Sequence, residues 1–350
     1  MNFMPKCIAT AIGSLPHPDP AKAVQVVLEN IPDAPIWPQL PAFGLNEQME
    51  VQYNEGLPRV VIDRVKERMY IDTTGDYSMD LATFYENFLA DNFDYFQITP
   101  EYSKGIYAMT DALTAAGTKR PFVKVQTTGP ISFGLTIVDE NKRAIYYNPE
   151  FIDVVVKALA MKCRWQIQRF RKFAENVICF IDEPILSAFG SSTYVSVTRD
   201  DVVAKLSEVV EAVHAENALA GVHCCGNTEW SILIDAGVDL VNFDAFDYGE
   251  TIALYPEAVK RHLLAGKGLA WGIVPTSSSK IQSNTAESLV AKFESLVANL
   301  SRATGLDQAL ILQQAMITPS CGTGSLPIPD AERVFSILGQ TSKILREKVA

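Results

Sequence analysis

A histidine and two cysteines stand where apolar runs end. His223 and Cys225 are one residue apart in Gly221-Val-His-Cys-Cys-Gly-Asn227, and Cys321 follows far downstream in Thr318-Pro-Ser-Cys-Gly-Thr-Gly324. Imidazole and thiolate are ligands that zinc prefers, and a catalytic zinc keeps a position open for substrate. A thiol in that position loses its proton near neutral pH and becomes a usable nucleophile. The ordinary alternative is that buried cysteines are small apolar core residues. The His-x-Cys spacing alone leaves the two readings evenly matched. Cys224 faces away from its neighbours if the strand persists and is read as core, as are Cys7, Cys163 and Cys179. His17, His214 and His262 lie in loop or helix settings without partners close in sequence and are read as structural or exposed.

Carboxylates close two further runs. Asp182 and Glu183 end Val177-Ile-Cys-Phe-Ile-Asp-Glu183, where they are available to a ligand amino group or for general-base work. The alternative is that one of them caps a helix or pairs with an arginine. Asp244 ends Val238-Asp-Leu-Val-Asn-Phe-Asp244 and could supply an oxygen to a metal, with Asp247 a competitor and an ordinary capping role equally open. Gly13 and Ser14, in Ala11-Ile-Gly-Ser-Leu-Pro16, offer a tight turn whose amides and hydroxyl could hold a carboxylate. Thr127-Thr-Gly-Pro130 is a similar turn, and neither matches a nucleotide-binding fingerprint.

The elements that must position these groups repeat as short apolar run, turn, amphipathic helix. Strands are expected at 7–12, 35–39, 121–127, 177–182, 218–224, 238–244, 268–274 and 315–319. Helices are clearest at 150–176, 199–216, 254–265, 285–303 and 330–348. Thr198 suits an N-cap, with Asp200 and Asp201 in the first turn. The pattern predicts an α/β fold, a single (β/α)₈ TIM barrel over residues 1–350, rather than an open doubly wound sheet. The barrel is favoured because the reactive residues fall at the C-terminal ends of the strands, the rim on which barrels build their sites. Residues 43–119 read as a long insertion after the second strand, a lid or substrate wall with helical patches at 46–56 and 78–92; 134–148 reads as a shorter polar loop.

The chain of 350 residues has a net charge of -11 and no lysine- or arginine-rich run, which argues against nucleic acid as a partner. No apolar stretch is long enough to span a membrane, and no signal-peptide pattern is present. Adjacent Cys224 and Cys225 suit a disulfide framework poorly, so a reduced, cytoplasmic setting is expected.

The order Ile12-Gly-Ser-x-Pro16, Thr128-Gly-Pro130, Ile181-Asp-Glu-Pro184, His223-x-Cys225 and Pro319-x-Cys-Gly322 resembles the catalytic C-terminal half of cobalamin-independent methionine synthase. More broadly it resembles the barrel superfamily that includes uroporphyrinogen decarboxylase and corrinoid-dependent thiol methyltransferases. The likeness runs along nearly the whole chain. It implies zinc held by His223, Cys225 and Cys321, with Asp244 where the family has a glutamate, so that Asp244, Asp247 or water could complete the shell. It implies homocysteine with its carboxylate at Ser14 and its ammonium at Asp182. A further family glutamate has only Gln39 as its counterpart here.

The chain resembles the short, single-barrel "core" methionine synthases, for which the implied methyl donor is methylcobalamin or a methylated corrinoid protein. No corrinoid motif of the type Asp-x-His-x-x-Gly occurs in the chain. The expected activity is zinc-dependent S-methyl transfer to homocysteine, giving methionine. The alternatives are transfer to another thiol such as coenzyme M, methyltetrahydrofolate as donor, and a non-catalytic zinc or corrinoid carrier.

Overall fold

The computed structural model describes residues 3–191 and 196–349. Nine strands occur among them: β1 Val60–Asp63, β2 Arg68–Ile71, β3 Arg120–Thr128, β4 Val138–Asp139, β5 Ala174–Asp182, β6 Leu219–Cys224, β7 Leu240–Phe243, β8 Gly268–Val274 and β9 Ala315–Pro319. Six of these, in the order β3-β5-β6-β7-β8-β9, form one parallel sheet. Strands buried on both faces read as continuous apolar runs, which is why these six stand out in the sequence.

The count of eight regular strands is not met. Segments 7–12 and 35–39 carry only isolated bridges, Ala9 to Ile317 and Ile36 to Lys124, with Ser14 bridging Gln39. The cause is local. Lys6 and Cys7 have positive φ (50° and 61°), and Pro35 and Pro38 have no N–H to give to a ladder. Both segments nevertheless lie along the sheet edges. Thr10 N donates to Ile317 O at 3.0 Å, Leu15 N to Gln39 O at 2.9 Å, and Lys124 N to Pro35 O at 2.9 Å. These bonds lead from β9 through both segments to β3, the arrangement of a TIM-like barrel.

Alternation along the strands separates two cores. Phe3, Ile8, Ala34, Ile178, Phe180, Leu219, Leu240, Ala270 and Met316 form the inner cluster. Residues of opposite parity, including Cys179, Val222, Cys224, Phe243 and Trp271, belong to the larger cluster shared with the helices. Cys7, Cys163, Cys179 and Cys224 are all buried.

The outer helices are well punctuated. Asn148 caps Pro149–Phe170 and Thr198 caps Arg199–Ala215, with Asp200 and Asp201 in its first turn. A Thr285/Ser288 capping box opens Ala286–Thr304, which ends at left-handed Gly305. Pro256–Leu264 and Ile328–Val349 complete the expected set.

Within 43–119 the structure differs from a uniform lid. Helix Ser78–Leu89 is present, but the patch at 46–56 folds as short 3₁₀ turns, Leu45–Glu47 and Val51–Tyr53. β1 and β2 form an antiparallel hairpin that β4, from the 134–148 segment, joins in parallel. Lys104–Ala116 is a full helix packed on Pro20–Asn30, so the end of this segment belongs to the barrel's helical layer. No helix among the described residues is long and apolar enough to cross a membrane.

Candidate metal and substrate site

Register lines up the chemistry. Thr128 on β3 pairs with Asp182 on β5, Asp182 with His223 on β6, and His223 with Asn242 on β7. Four polar side chains therefore form one rung near the C-terminal ends of four adjacent strands. They share parity with the inner cluster and so face the barrel interior.

The orientation of the His223 ring is fixed by Asn242. The Asn242 Nδ2 group donates to Ala270 O and to Thr318 Oγ1, both at 2.8 Å. A backbone carbonyl only accepts, so the amide nitrogen must face Ala270 and the oxygen must face His223. His223 Nδ1–H then donates to Asn242 Oδ1 at 2.5 Å, so Nε2 is the nitrogen left for a ligand. Nε2 is buried beside the Cys225 thiol and has no well-aligned hydrogen bond among the described residues. An outer residue that holds one imidazole nitrogen and leaves the other bare is the usual support of a metal-bound histidine.

Two residues beyond His223, Cys225 returns to the interior side, and Cys321 follows the end of β9. The ligand atoms of His223, Cys225 and Cys321 all lie within 4.8 Å of one another. Ligand atoms around a tetrahedral zinc, with bonds of about 2.0–2.3 Å, stand about 3.5–4 Å apart, so a small inward adjustment closes the shell. The Cys225 thiol is pulled well below its ordinary range by a hydrogen bond from Cys321 and by His223, whereas Cys321 is pushed up by the same bond and by burial. Burial lowers the His223 pKa, but a hydrogen bond with Cys225, the Asp182 and Cys225 charges and the Asn242 bond outweigh it and raise it. An imidazole nitrogen whose proton a metal can replace, beside a ready thiolate, is a donor set that fits zinc.

A cleft of about 380 Å³ leads to these atoms, lined by Gly13, Ser14, Gln39, Gln52, Thr128 and Asp182 among others. Asp182 Oδ1, Thr128 Oγ1 and Gln52 Oε1 are buried without hydrogen-bond partners. Each can accept a hydrogen bond, which suits a ligand ammonium. Burial raises the Asp182 pKa, opposed by Lys124 and His223. Lys124 is wholly buried beneath, lowered to about 8 by burial against the pull of Asp182. Its Nζ donates to Ile12 O and, at 3.2 Å, to Gln126 Oε1, and it stands 4.7 Å from the Phe180 ring centre.

On the opposite wall, Ser14 Oγ accepts from Gly324 N at 3.1 Å, so its own hydrogen is free to donate. Gly13 abuts Gln126, and Gly322 abuts Ser14: a Cβ on Gly322 would stand 2.2 Å from Ser14 Oγ.

Three residues singled out from sequence also make structural bonds. Gln39 lines the cleft with its Nε2 donating to Glu47 O. Gln52, a second cleft glutamine, donates Nε2 to Tyr102 O at 2.8 Å and keeps a buried oxygen with no partner among the described residues. It sits on a 3₁₀ turn inside the 43–119 segment, where no periodicity marks it. Asp244 caps the helical turn Ala245–Tyr248 by accepting from Asp247 N at 2.9 Å and lies outside the His223–Cys225–Cys321 group. Asp247 pairs with Lys280 at 2.6 Å.

Glu183, adjacent to Asp182, is also committed. It caps Pro130–Thr136 by accepting from Ile131 N at 2.8 Å and from Ser132 N and Oγ at 2.7 Å. Burial nonetheless lifts its pKa to about 7. The remaining histidines do have partners, all distant or unforeseen in the sequence: His17 meets Glu332, His214 meets Asp239, and His262 bonds Gly268 O.

No protein-family model matches the chain, and no curated protein matches it. Among solved structures, a methyltransferase from Methanosarcina mazei is similar over 97% of this chain and 94% of its own, at 12% identity and a TM-score of 0.56. That likeness shows a shared fold. Weaker likenesses include a β-mannanase from Alicyclobacillus acidocaldarius (TM-score 0.36, 11% identity, 70% of this chain and 78% of that one). An oxaloacetate acetylhydrolase is similar at TM-score 0.34 and 12% identity, over 91% of this chain and 76% of its own.

Proposed function

We propose that the protein is an S-methyltransferase that methylates the thiol of homocysteine, with zinc at His223, Cys225 and Cys321. One observation carries the reading: the bare His223 Nε2 faces two cysteines at the end of a cleft whose walls hold unpartnered acceptors. Zinc held there would acidify an incoming thiol so that it reacts as thiolate at neutral pH. The chain's own groups do the rest. Asp182, Thr128 and Gln52 accept from the substrate ammonium, and the Ser14 hydroxyl donates to its carboxylate. Lys124 supplies a buried counter-charge that favours ionised Asp182. The cleft fixes the sulfur's position, and such positioning replaces a costly encounter in solution. The donor in this reading is methylcobalamin or a methylated corrinoid protein, with methyltetrahydrofolate the second candidate.

Asp182 and Gln52 favour an acceptor with an ammonium group over coenzyme M, which has none. A pure carrier of zinc or corrinoid would have no use for that acceptor set. Asp244 in its capping role leaves water as the simpler occupant of any fourth metal position.

The test is metal analysis of the purified protein followed by a donor panel. Methylcobalamin, methyltetrahydrofolate and its polyglutamate are each supplied with homocysteine, and methionine is measured. Zinc at one per chain and methionine formation are expected. Bound zinc with no methyl transfer from any donor would assign the protein to the carrier class. Activity with folate alone would change the donor and keep the acceptor.

A further inference from the structure

Cys225 belongs to the walls of two clefts. The first is the cleft of Ser14, Gln52 and Asp182. The second, more open and about 730 Å³ in volume, is bounded by Phe189, Asn227, Thr228, Tyr248 and Tyr255, and Cys225 is the one residue among those described that lines both. Two features mark the second as more than a surface hollow. Thr228 is only 8% exposed, yet its Oγ1 has no hydrogen-bond partner among the described residues. Three aromatic side chains ring the space, and Tyr248 is 40% exposed. Aromatic faces offer apolar area with defined stacking geometry, and a buried hydroxyl left without a partner calls for one.

We propose that this second cleft seats the methyl donor, a conjugated ring system with hydrogen-bonding groups on its edge, while the acceptor thiol occupies the first. The proposal rests on the methyl-transfer reading above. Ring faces lie against Phe189, Tyr248 and Tyr255, and an edge group meets Thr228. The acceptor sulfur, already deprotonated, forms the new S–C bond. The bond between the methyl carbon and the donor atom, cobalt in a corrinoid or the ring nitrogen in a folate, breaks, and its electron pair stays on that atom. With a corrinoid the thiol's proton passes to solvent; with a folate the ring nitrogen leaves protonated, taking up the equivalent of that proton. No oxidant or reductant is needed. Because Cys225 is the lining residue the two clefts share among the described residues, donor and acceptor occupy neighbouring sites rather than compete for one.

The experiment is equilibrium dialysis of the zinc-loaded full chain against methylcobalamin in one arm and methyltetrahydrofolate in the other, each with and without homocysteine. The arm that binds identifies which ring system the cleft takes. Tyr248→Ala and Thr228→Val should each weaken donor binding tenfold or more, with zinc content and the KM for homocysteine unchanged. Gln52→Leu should leave donor binding as in the wild type. Thr228→Val changes little volume, so it keeps the test valid if the tyrosine variant folds poorly. Should a donor bind and transfer its methyl group, yet be displaced by homocysteine or be indifferent to both substitutions, the second-cleft assignment is overturned and the methyl-transfer reading stands. If neither donor binds or transfers a methyl group, both fall together.

Discussion

Asn242 is at once the register neighbour of His223 on the adjacent strand and the hydrogen-bond partner of its Nδ1. The sheet itself thus aims the bare Nε2. Replacing Asn242 by leucine keeps the bulk and removes the restraint. Zinc affinity, measured against a competing chelator, should fall about 10–100-fold, the usual effect of losing such a support. Unchanged affinity in a folded variant would mean the amide does not orient the ring.

Cys225→Ser and Cys321→Ser replace a sulfur that zinc prefers by a hydroxyl that rarely ionises. Each should lose metal and methyl-transfer activity together, read by metal analysis and turnover on the same preparation. Full zinc occupancy with wild-type turnover in either variant would refute the ligand assignment.

Gln52 and Gln39 separate two accounts of the acceptor cleft. Gln52→Leu removes an uncommitted acceptor, a loss of about 1–3 kcal/mol, so the KM for homocysteine should rise about tenfold or more, alongside some loss of stability from the broken Nε2 bond to Tyr102 O. Methylation of coenzyme M, which lacks the ammonium, should not suffer in parallel. Gln39→Leu instead breaks a bond to Glu47 and should act mainly on stability, seen as a lower Tm. The reverse pattern would return the binding role to Gln39.

Gly129 has no room for a side chain. A Cβ there would stand 2.2 Å from the Glu183 carboxylate that caps Pro130–Thr136. Gly129→Ala should displace the cap and destabilise the fold by about 1–3 kcal/mol in urea titration. A neutral result would show that the carboxylate can shift without losing its donors.

His262 is buried and bonded to Gly268 O, and burial depresses its pKa from 6.5 to about 4. Between these values the unfolded chain takes up a proton that the folded chain refuses. Stability associated with this residue is therefore complete above pH 6.5 and is lost as pH falls toward 4. At about 1.4 kcal/mol per pH unit, the loss amounts to roughly 3 kcal/mol. His262→Gln should flatten the decline in unfolding free energy over that window by about this amount, judged by denaturant titration at several pH values. Identical pH profiles would contradict a neutral buried ring.

Much of this architecture could be read from the chain because parallel strands are apolar on both faces and stand out as runs. β5 to β9 lie close to where those runs predict, and His223, Cys225 and Cys321 stand at the ends of two of them. The two N-terminal runs are misleading. Their apolar content is that of strands, but Pro35, Pro38 and the left-handed Cys7 interrupt the ladder. Gln52 was hidden because a 3₁₀ turn has no periodicity to betray which side chains face inward. Lys124 shares the inward parity of Thr128 on β3, but a lysine inside an apolar run does not announce a buried position. Asp244 is ambiguous because capping and metal ligation ask for the same residue type; its Oδ1 caps the following turn by accepting from Asp247 N.

The irregular seam between β9 and β3 divides the acceptor cleft into two unlike jaws. Asp182, His223 and Asn242 hang from a continuous ladder and form the stiff one, while Gly13, Ser14 and Gln39 are tethered by isolated bonds and form the compliant one. Under the proposed reading, a small substrate would draw the serine side toward the fixed one. Amide exchange near Ser14 should slow on substrate binding far more than exchange near His223.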